Sequence, residues 1–206
     1  MQIAIPLFDR FTALDAVGPY EVLSRLPGAR VDFVAAEPGV IRTDTRMLAL
    51  AVEKSFDDVP RPEILVVPGG AGTRTVMHDR RMLDWVRGVH EHSDYTTSVC
   101  TGALVLTAAG VLDGLEATTH WLYTDYLDNP VERRVVEQGK VITAAGVSAG
   151  IDMALTLAAK VAGDEVAQAI QLAMEYDPEP PFDSGSPRKA PESVMALVRA
   201  AEHAQT

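Results

Sequence analysis

The feature that most constrains the fold is a regular alternation of short β-branched runs with helical patterns. The predicted strands are Gln2 to Phe8, Arg30 to Ala36, Ile64 to Val67 and Thr96 to Val99. The predicted helices are Leu14 to Leu26, Arg74 to Glu91 and Gly102 to Ala109. Strands that alternate with helices indicate βαβ units, in which parallel strands are joined by helical crossovers. We therefore predict an α/β fold with a mostly parallel sheet and helices on both of its faces.

The second half of the chain adds a hairpin, further helices and an irregular arm. The predicted elements are a hairpin of Arg134 to Val136 with Val141 to Ala144, and helices at Ser148 to Ala162 and Asp164 to Tyr176. Residues 177–191 are rich in proline, glycine and serine, which predicts an extended arm, and a last helix follows from Pro191 to Ala204. Of the 206 residues, 47% are hydrophobic, which suits one core, so we predict a single domain over 1–206.

Composition narrows the class of protein. The formal net charge of −11 argues against nucleic acid as a partner, because phosphate binding needs a basic surface. One cysteine excludes an intramolecular disulfide. The N-terminus does not resemble a secretion signal, and no apolar run is long enough for a membrane span. We predict a cytoplasmic protein with no membrane partner and, since no His, Cys or carboxylate cluster has ligand spacing, no metal.

The segment 97–103 (TSVCTGA) is the main chemical clue. A strand that runs into a reactive side chain, followed by small residues that open a helix, is the pattern of a nucleophile elbow. Such a turn would place Cys100 at the carboxyl ends of the strands, where open α/β sheets bind ligands. The N-terminus of the next helix would then depress the thiol pKa. The alternative is a small buried cysteine with only a packing role.

Three other positions have two interpretations each. Asp15 lies among apolar residues, so it is either a buried proton carrier near the thiol or a helix N-cap. Gly69 and Gly70 follow a strand, so their N–H groups either stabilise a developing anion or form an ordinary strand exit. His120 either pairs with the cysteine or is a hydrogen-bonded structural histidine.

These residues carry a resemblance that spans nearly the whole chain. The sequence resembles the ThiJ/PfpI superfamily, which shares a flavodoxin-like three-layer sandwich with class I glutamine amidotransferases, and within it the isonitrile hydratases. The matching stretches are Leu14-Asp15-x-x-Gly18-Pro19, Val67-Pro68-Gly69-Gly70, Thr97-Ser98-Val99-Cys100-Thr101-Gly102, Ala117-Thr118-Thr119-His120-Trp121, Gly146-Val147-Ser148-Ala149-Gly150-Ile151-Asp152 and Gln171-Leu172-x-x-Glu175-Tyr176-x-Pro178-x-Pro180-Pro181-Phe182-x-x-Gly185-Ser186-Pro187.

The resemblance implies a role for each matched position. Cys100 would be the nucleophile and Asp15 the acidic residue against it, and Gly70 with the Thr101 backbone would form an anion pocket. The remaining residues expected around the substrate are Gly69, Gly102, His120, Trp121, Gly150 and Ile151. The resemblance also implies a homodimer that needs no cofactor.

Two departures disfavour the hydrolytic relatives. Protease-like members have histidine directly after the cysteine, where this chain has Thr101, and amidotransferases add a late His-x-Glu pair, which is missing here. The resemblance therefore implies hydration of an isonitrile to an N-substituted formamide through a Cys100 thioimidate. Two alternatives stay open: a cysteine-based redox or stress sensor, and a non-catalytic small-molecule-binding protein of the same superfamily.

Overall fold

The computed structural model describes residues 1–204 and is organised around one seven-stranded sheet. Its strands lie in the order β5-β2-β1-β6-β7-β9-β8, and β3 with β4 forms a separate two-stranded sheet. The strands are β1 (Gln2–Pro6), β2 (Arg30–Ala35), β3 (Gly39–Arg42), β4 (Ala49–Val52), β5 (Lys54–Ser55), β6 (Ile64–Val67), β7 (Tyr95–Val99), β8 (Val135–Gln138) and β9 (Val141–Ala144).

Seven α-helices and one 3₁₀ helix connect and flank these strands in the described residues. The α-helices are α1 (Ala13–Leu23), α2 (Thr73–Val76), α3 (Arg80–His92), α4 (Gly102–Ala108), α5 (Ala149–Ala162), α6 (Asp164–Ala173) and α7 (Glu192–Ala204). The 3₁₀ helix is Trp121–Tyr126. No helix within residues 1–204 combines the length and the apolar character that a membrane crossing requires.

The connections of the main sheet place helices on both of its faces. All strand pairs in it are parallel except β8 with β9. The crossover from β1 to β2 runs toward one edge, and the crossovers from β6 to β7 and from β7 to β9 run toward the other. Because such crossovers are right-handed, α1 lies on the opposite face from α3 and α4. The predicted flavodoxin-like α/β sandwich is confirmed.

The register brings three strand ends to one place. Val67 of β6 pairs with Ser98 of β7, and Val99 of β7 pairs with Ala144 of β9. The chain therefore leaves these strands side by side, at Pro68, Cys100 and Ala145. In a parallel sheet this carboxyl edge is the usual ligand-binding side.

The element boundaries differ from the sequence-based ones in three places. The predicted helix from Arg74 to Glu91 is two helices, because the Asp79 carboxylate accepts a hydrogen bond from Arg81 N and caps a new helix. The β3–β4 hairpin and β5 were not predicted. The helix predicted from Asp164 to Tyr176 ends earlier, at Ala173, and Gly163, at φ 88°, is both the C-cap of α5 and the N-cap of α6.

Candidate active site

Cys100 lies at a strained turn directly after β7. Its φ is 55°, in the left-handed region that residues with a side chain rarely adopt. Backbone hydrogen bonds of Cys100 hold the turn. Its N–H group is shared between Ala144 O at 3.1 Å and Ala145 O at 3.2 Å, and the Thr119 hydroxyl donates to Cys100 O at 2.8 Å. This is the geometry of a nucleophile elbow, which the spacing of the segment predicted.

The small residue after the elbow is needed for packing. A Cβ atom added to Gly102 would lie 2.1 Å from Val67 O, so any larger residue would push α4 away from β6. Gly102 therefore allows the helix to start close against the sheet, and its expected contact with substrate stays a prediction.

Asp15 is completely buried beside the thiol. Its Oδ2 accepts a hydrogen bond from Gly69 N at 2.9 Å, and the Cys100 thiol is its other hydrogen-bonding neighbour. Oδ1 has no nitrogen or oxygen donor among the described residues. The residue before α1 is Thr12, so Asp15 lies inside the first turn and the N-cap interpretation is wrong.

Burial makes the Asp15 carboxyl a weak acid. Loss of water raises its pKa from the ordinary value of 3.8 to about 7, and the nearby charge of Asp44 adds to the rise. The Gly69 N–H group and the Cys100 thiol lower the pKa and offset part of that rise. At neutral pH the carboxyl is therefore poised to give up or take a proton, as a general acid–base group requires.

The expected depression of the Cys100 pKa is wrong in direction. Cys100 is 5% exposed, and its burial together with the charge of Asp15 raises the pKa of the thiol well above its ordinary value. Hydrogen bonds from the backbone N–H groups of Thr101 and Val147 lower it, but not enough to reverse the effect. Free ionisation of the thiol into water is therefore unfavourable, and Asp15 is the adjacent group that can accept its proton.

The role predicted for Gly70 also needs correction. Its N–H group donates to Thr101 Oγ1 at 2.9 Å, so it is not free to bind an anion in this structure. The Thr73 hydroxyl lies 3.0 Å from the same Oγ1 atom, and this contact fastens the start of α2 to the elbow. The donors that face the sulfur are those of Thr101 and Val147.

Gly69 joins both halves of the site through its backbone. Its N–H group holds Asp15, and its carbonyl accepts a hydrogen bond from Thr12 N at 2.8 Å at the start of α1. A Cβ atom at this position would lie 2.5 Å from both Thr101 N and Thr101 Oγ1, and 2.9 Å from Asp15 Oδ2. The strand exit therefore needs glycine here for close approach.

A first prediction concerns Gly69→Ala. We expect this variant to lower the free energy of unfolding by about 1–3 kcal/mol, the usual effect of overpacking. It should also slow turnover in any reaction in which Asp15 transfers a proton, because the added methyl group displaces the carboxyl. Gly88→Ala is the matched control, because nothing lies within 4 Å of a Cβ atom there. Since Gly88 lies inside α3, alanine should raise stability by about 0.5–1 kcal/mol. Equal urea midpoints and equal turnover for the two variants would contradict the assigned role of Gly69.

His120 has a structural role at the start of the 3₁₀ helix, and its expected contact with substrate stays a prediction. Its Nδ1 accepts a hydrogen bond from Leu122 N at 3.4 Å and so caps the 3₁₀ helix, and burial lowers its pKa, which favours the neutral ring. A Cβ atom on Gly146 would lie 2.5 Å from His120 Cδ2, so the Cδ2 edge of the ring packs against the loop after β9. Trp121 follows, half-buried, with its ring 6.0 Å from that of His120.

Gly150 and Ile151 lie behind the elbow, where α5 packs against α1. A Cβ atom on Gly150 would approach Val99 Cγ1 to 3.0 Å, and one on Gly18 would approach Ile151 Cγ1 to 3.1 Å. Both residues therefore set the distance between α5, α1 and the strand that carries Cys100. Their expected contact with substrate stays a prediction.

Sequence reasoning missed several residues that the fold brings to the site. They are Thr73, Thr119, Tyr123, Val147 and Glu202. Thr119 and Val147 lie inside stretches that had been singled out, but their contacts with the cysteine depend on tertiary structure. Within residues 1–204, no three His, Cys, Asp or Glu side chains are grouped in a way that would hold a metal ion.

Comparison with known proteins identifies the family. A model of the DJ-1/PfpI family matches residues 1–160. The chain belongs to the DJ-1/PfpI family. It is 46% identical over 203 residues to an isonitrile hydratase of Pseudomonas putida, an alignment that covers 97% of this chain and 89% of that enzyme.

Solved structures agree with this assignment. A THiJ/PfpI family protein from Pseudomonas syringae superposes with a TM-score of 0.93 at 35% identity, over 99% of this chain and 87% of that one. Oxidized DJ-1 from Toxoplasma gondii, at 22% identity, shares the fold with a TM-score of 0.78 over 86% of this chain and 99% of that one. The resemblance drawn from the sequence motifs is thereby confirmed.

Proposed function

We propose that this protein is an isonitrile hydratase that converts R–N≡C and water into an N-substituted formamide. The observation that carries the proposal is the fully buried Asp15 carboxyl, whose pKa is about 7, beside the Cys100 thiol at the carboxyl edge of the sheet. The terminal carbon of an isonitrile must receive both a nucleophile and a proton. This pair supplies both, and the similarity to the P. putida enzyme names the substrate class.

The first step forms the covalent intermediate. The two groups share one proton, so one form of the pair is a thiolate beside a neutral carboxyl. The thiolate of Cys100 forms the S–C bond to the terminal carbon, and the Asp15 proton is transferred to that same carbon. The product is a thioimidate, R–N=CH–S–Cys100, beside an ionised Asp15. The N–H groups of Thr101 and Val147 stabilise the thiolate before the attack.

The second step adds water and releases the enzyme. Asp15 takes one proton from water while the oxygen forms a bond to the thioimidate carbon, and it then passes that proton to the substrate nitrogen. Collapse of the resulting adduct breaks the C–S bond and expels the thiolate. The remaining hydroxyl proton returns to Asp15. The formamide leaves with the carbon-bound hydrogen that Asp15 donated first, and the pair is restored.

The redox-sensor alternative has less support. A sensing cysteine reacts with peroxide through an accessible thiolate of depressed pKa. Cys100 is 5% exposed, and its pKa is raised. An enclosed pair that shares one proton suits a small neutral substrate better than it suits sensing.

The test is a stopped assay of formamide production from an aromatic isonitrile. Turnover by the wild type that is lost in Cys100→Ala supports the hydratase function. Tight binding of isonitriles without turnover would favour the small-molecule-binding alternative. Selective oxidation of Cys100 at a low concentration of peroxide, without hydration of any isonitrile tried, would favour the redox-sensor alternative.

A second prediction concerns pH. We expect kcat/KM to rise as the pH increases through about 7, because the doubly protonated pair has neither a thiolate nor a base. The profile should then stay level toward higher pH, since the thiol pKa is raised. Rates measured from pH 5 to 9 in buffers of constant ionic strength check this. A profile without the limb near pH 7 would contradict the assigned ionisation.

We also propose that the chain works as a homodimer in the cytoplasm. Several large apolar side chains are exposed, which suits an interface between copies: Leu172, Phe182, Leu197 and Val198. Sedimentation velocity of the full chain tests the assembly state.

A further inference from the structure

The last helix, α7, contacts two short helices that follow segments of the candidate active site. The Tyr123 hydroxyl donates a short hydrogen bond to Glu202 Oε1, although 79 positions separate the two residues in the sequence. The same carboxylate oxygen lies 3.7 Å from a guanidinium nitrogen of Arg74 in α2. Glu202 therefore ties α7 both to the 3₁₀ helix and to the short helix that follows the Gly69–Gly70 turn.

A second contact, one turn earlier in α7, places the helix against the same 3₁₀ segment. The Arg199 guanidinium carbon lies 5.5 Å from the centre of the Trp121 ring, within the range of a cation–π interaction. Arg199 and Glu202 are three residues apart, so they lie on one face of the helix. That face covers the segment that begins with His120 beside the elbow.

The hydrogen bond to Glu202 determines whether the Tyr123 oxygen can donate to other groups or only accept from them. Because its only proton is directed at Glu202, the oxygen presents just its lone pairs to other groups, and so it acts as an acceptor. Burial and Glu202 both raise the pKa of the phenol, and the charge of Cys100 contributes to the same rise. The phenol therefore stays protonated. The segment that carries it is held at the elbow, because the Thr119 hydroxyl, four residues before Tyr123, donates a hydrogen bond to Cys100 O at 2.8 Å.

We propose that Tyr123 holds the hydrating water through its hydroxyl oxygen, and that Glu202 is the positioning residue that orients it. The inference rests on the hydratase function proposed above. One proton of the water goes to Asp15 as the oxygen attacks the thioimidate carbon, while the other forms a hydrogen bond to the Tyr123 oxygen. Tyr123 gains and loses no proton in this step, so the proton balance given above is unchanged.

The experiment compares Tyr123→Phe with Tyr126→Phe in the full chain. Tyr126→Phe is the matched control, because it also removes a phenol hydroxyl from the 3₁₀ helix, but Tyr126 is 48% exposed. For Tyr123→Phe we expect kcat to fall by about tenfold, the factor for one lost hydrogen bond. KM should fall by a similar factor, so that kcat/KM is unchanged, because formation of the thioimidate is not affected. Thioimidate on Cys100 should accumulate in intact-mass spectra quenched at steady state, because only the hydration step is slowed. Tyr126→Phe should behave like the wild type.

Variants of Glu202 provide the second part of the experiment. Glu202→Ala should reproduce the accumulation of thioimidate, whereas Glu202→Gln keeps an oxygen acceptor for the Tyr123 hydroxyl and should restore most of the turnover. Merely structural damage from Glu202→Ala would lower turnover without trapping the adduct. That result, or wild-type kinetics in Tyr123→Phe, would overturn the inference while leaving the hydratase in place. A wild-type protein that hydrates no isonitrile would overturn both.

Discussion

Replacement of Cys100 with alanine is expected to lower isonitrile turnover by at least about 10⁴-fold, the scale of losses seen when a nucleophile is removed. Alanine has no atom that can form the bond to the terminal carbon, and the Asp15 proton alone cannot capture it. The alternative in which Cys100 only fills space predicts almost no change, since alanine is the smaller of the two residues. The two hypotheses thus differ by orders of magnitude.

The measurement pairs formamide production with a check of the fold. Alanine can adopt the left-handed φ of 55° at no greater strain than cysteine, and the hydrogen bonds at Ala144 and Thr119 use only the backbone of residue 100. Circular dichroism and the melting temperature should therefore stay close to wild type. Activity within tenfold of wild type in a folded Cys100→Ala protein would contradict covalent catalysis.

A trapping experiment tests directly whether Cys100 forms a covalent bond to the substrate. Wild-type protein mixed with an isonitrile and quenched at once should gain the mass of one substrate molecule on the peptide that contains Cys100. The Cys100→Ala variant should gain none. Hydration by the wild type that never produces this adduct, even with fast quenching, would favour direct attack by water.

Much of the fold could be predicted because it depends on local patterns. The buried runs in β1 and β6 are short and apolar, and β7 is rich in β-branched residues. The segments between them have helical spacing, so their alternation predicts the class of sheet. The β3–β4 hairpin was missed because its strands have only four residues each, and a single residue of the eight, Val52, is buried. The break between α2 and α3 depends on a single capping side chain, that of Asp79, within an otherwise continuous amphipathic run.

Only part of the candidate site could be predicted from the sequence, and its electrostatics could not. The spacing around Cys100 and the apolar setting of Asp15 are visible in the sequence. Whether a helix N-terminus or burial decides the thiol pKa depends on how much water reaches the sulfur, which only the packed structure shows. The use of Gly70 N–H by Thr101, and the approach of Glu202 to Tyr123, join residues that are 31 and 79 positions apart.

Asp15→Asn is expected to lower turnover by about 10²–10⁴-fold, the range for loss of a general acid–base group. Asparagine keeps the size of the side chain and an oxygen that can accept the hydrogen bond from Gly69 N. It cannot transfer the proton that the terminal carbon needs, nor accept one from water. The rise of kcat/KM through pH 7 should also disappear, because the group that causes it is gone.

The same substitution should stabilise the fold, which separates a catalytic role from damage. A carboxyl whose folded pKa is raised contributes stability that is fully present below its unfolded pKa of 3.8 and is lost as the pH rises through about 7. Above pH 8 the buried carboxylate lowers the free energy of unfolding by up to about 4 kcal/mol, and asparagine is free of that effect. Below pH 4 the two proteins should have nearly equal stability.

Urea unfolding at pH 4, 6 and 8 measures the gap between the free energies of unfolding of Asp15→Asn and of the wild type. A gap that widens with pH, together with lost turnover, means that the chain keeps an unfavourable buried carboxyl because the chemistry needs its proton. A variant that is inactive and less stable at every pH would show that Asp15 serves the packing of α1 and not the reaction. Full activity in a stable Asp15→Asn protein would remove Asp15 from the mechanism and leave the proton of the new C–H bond to come from the thiol itself.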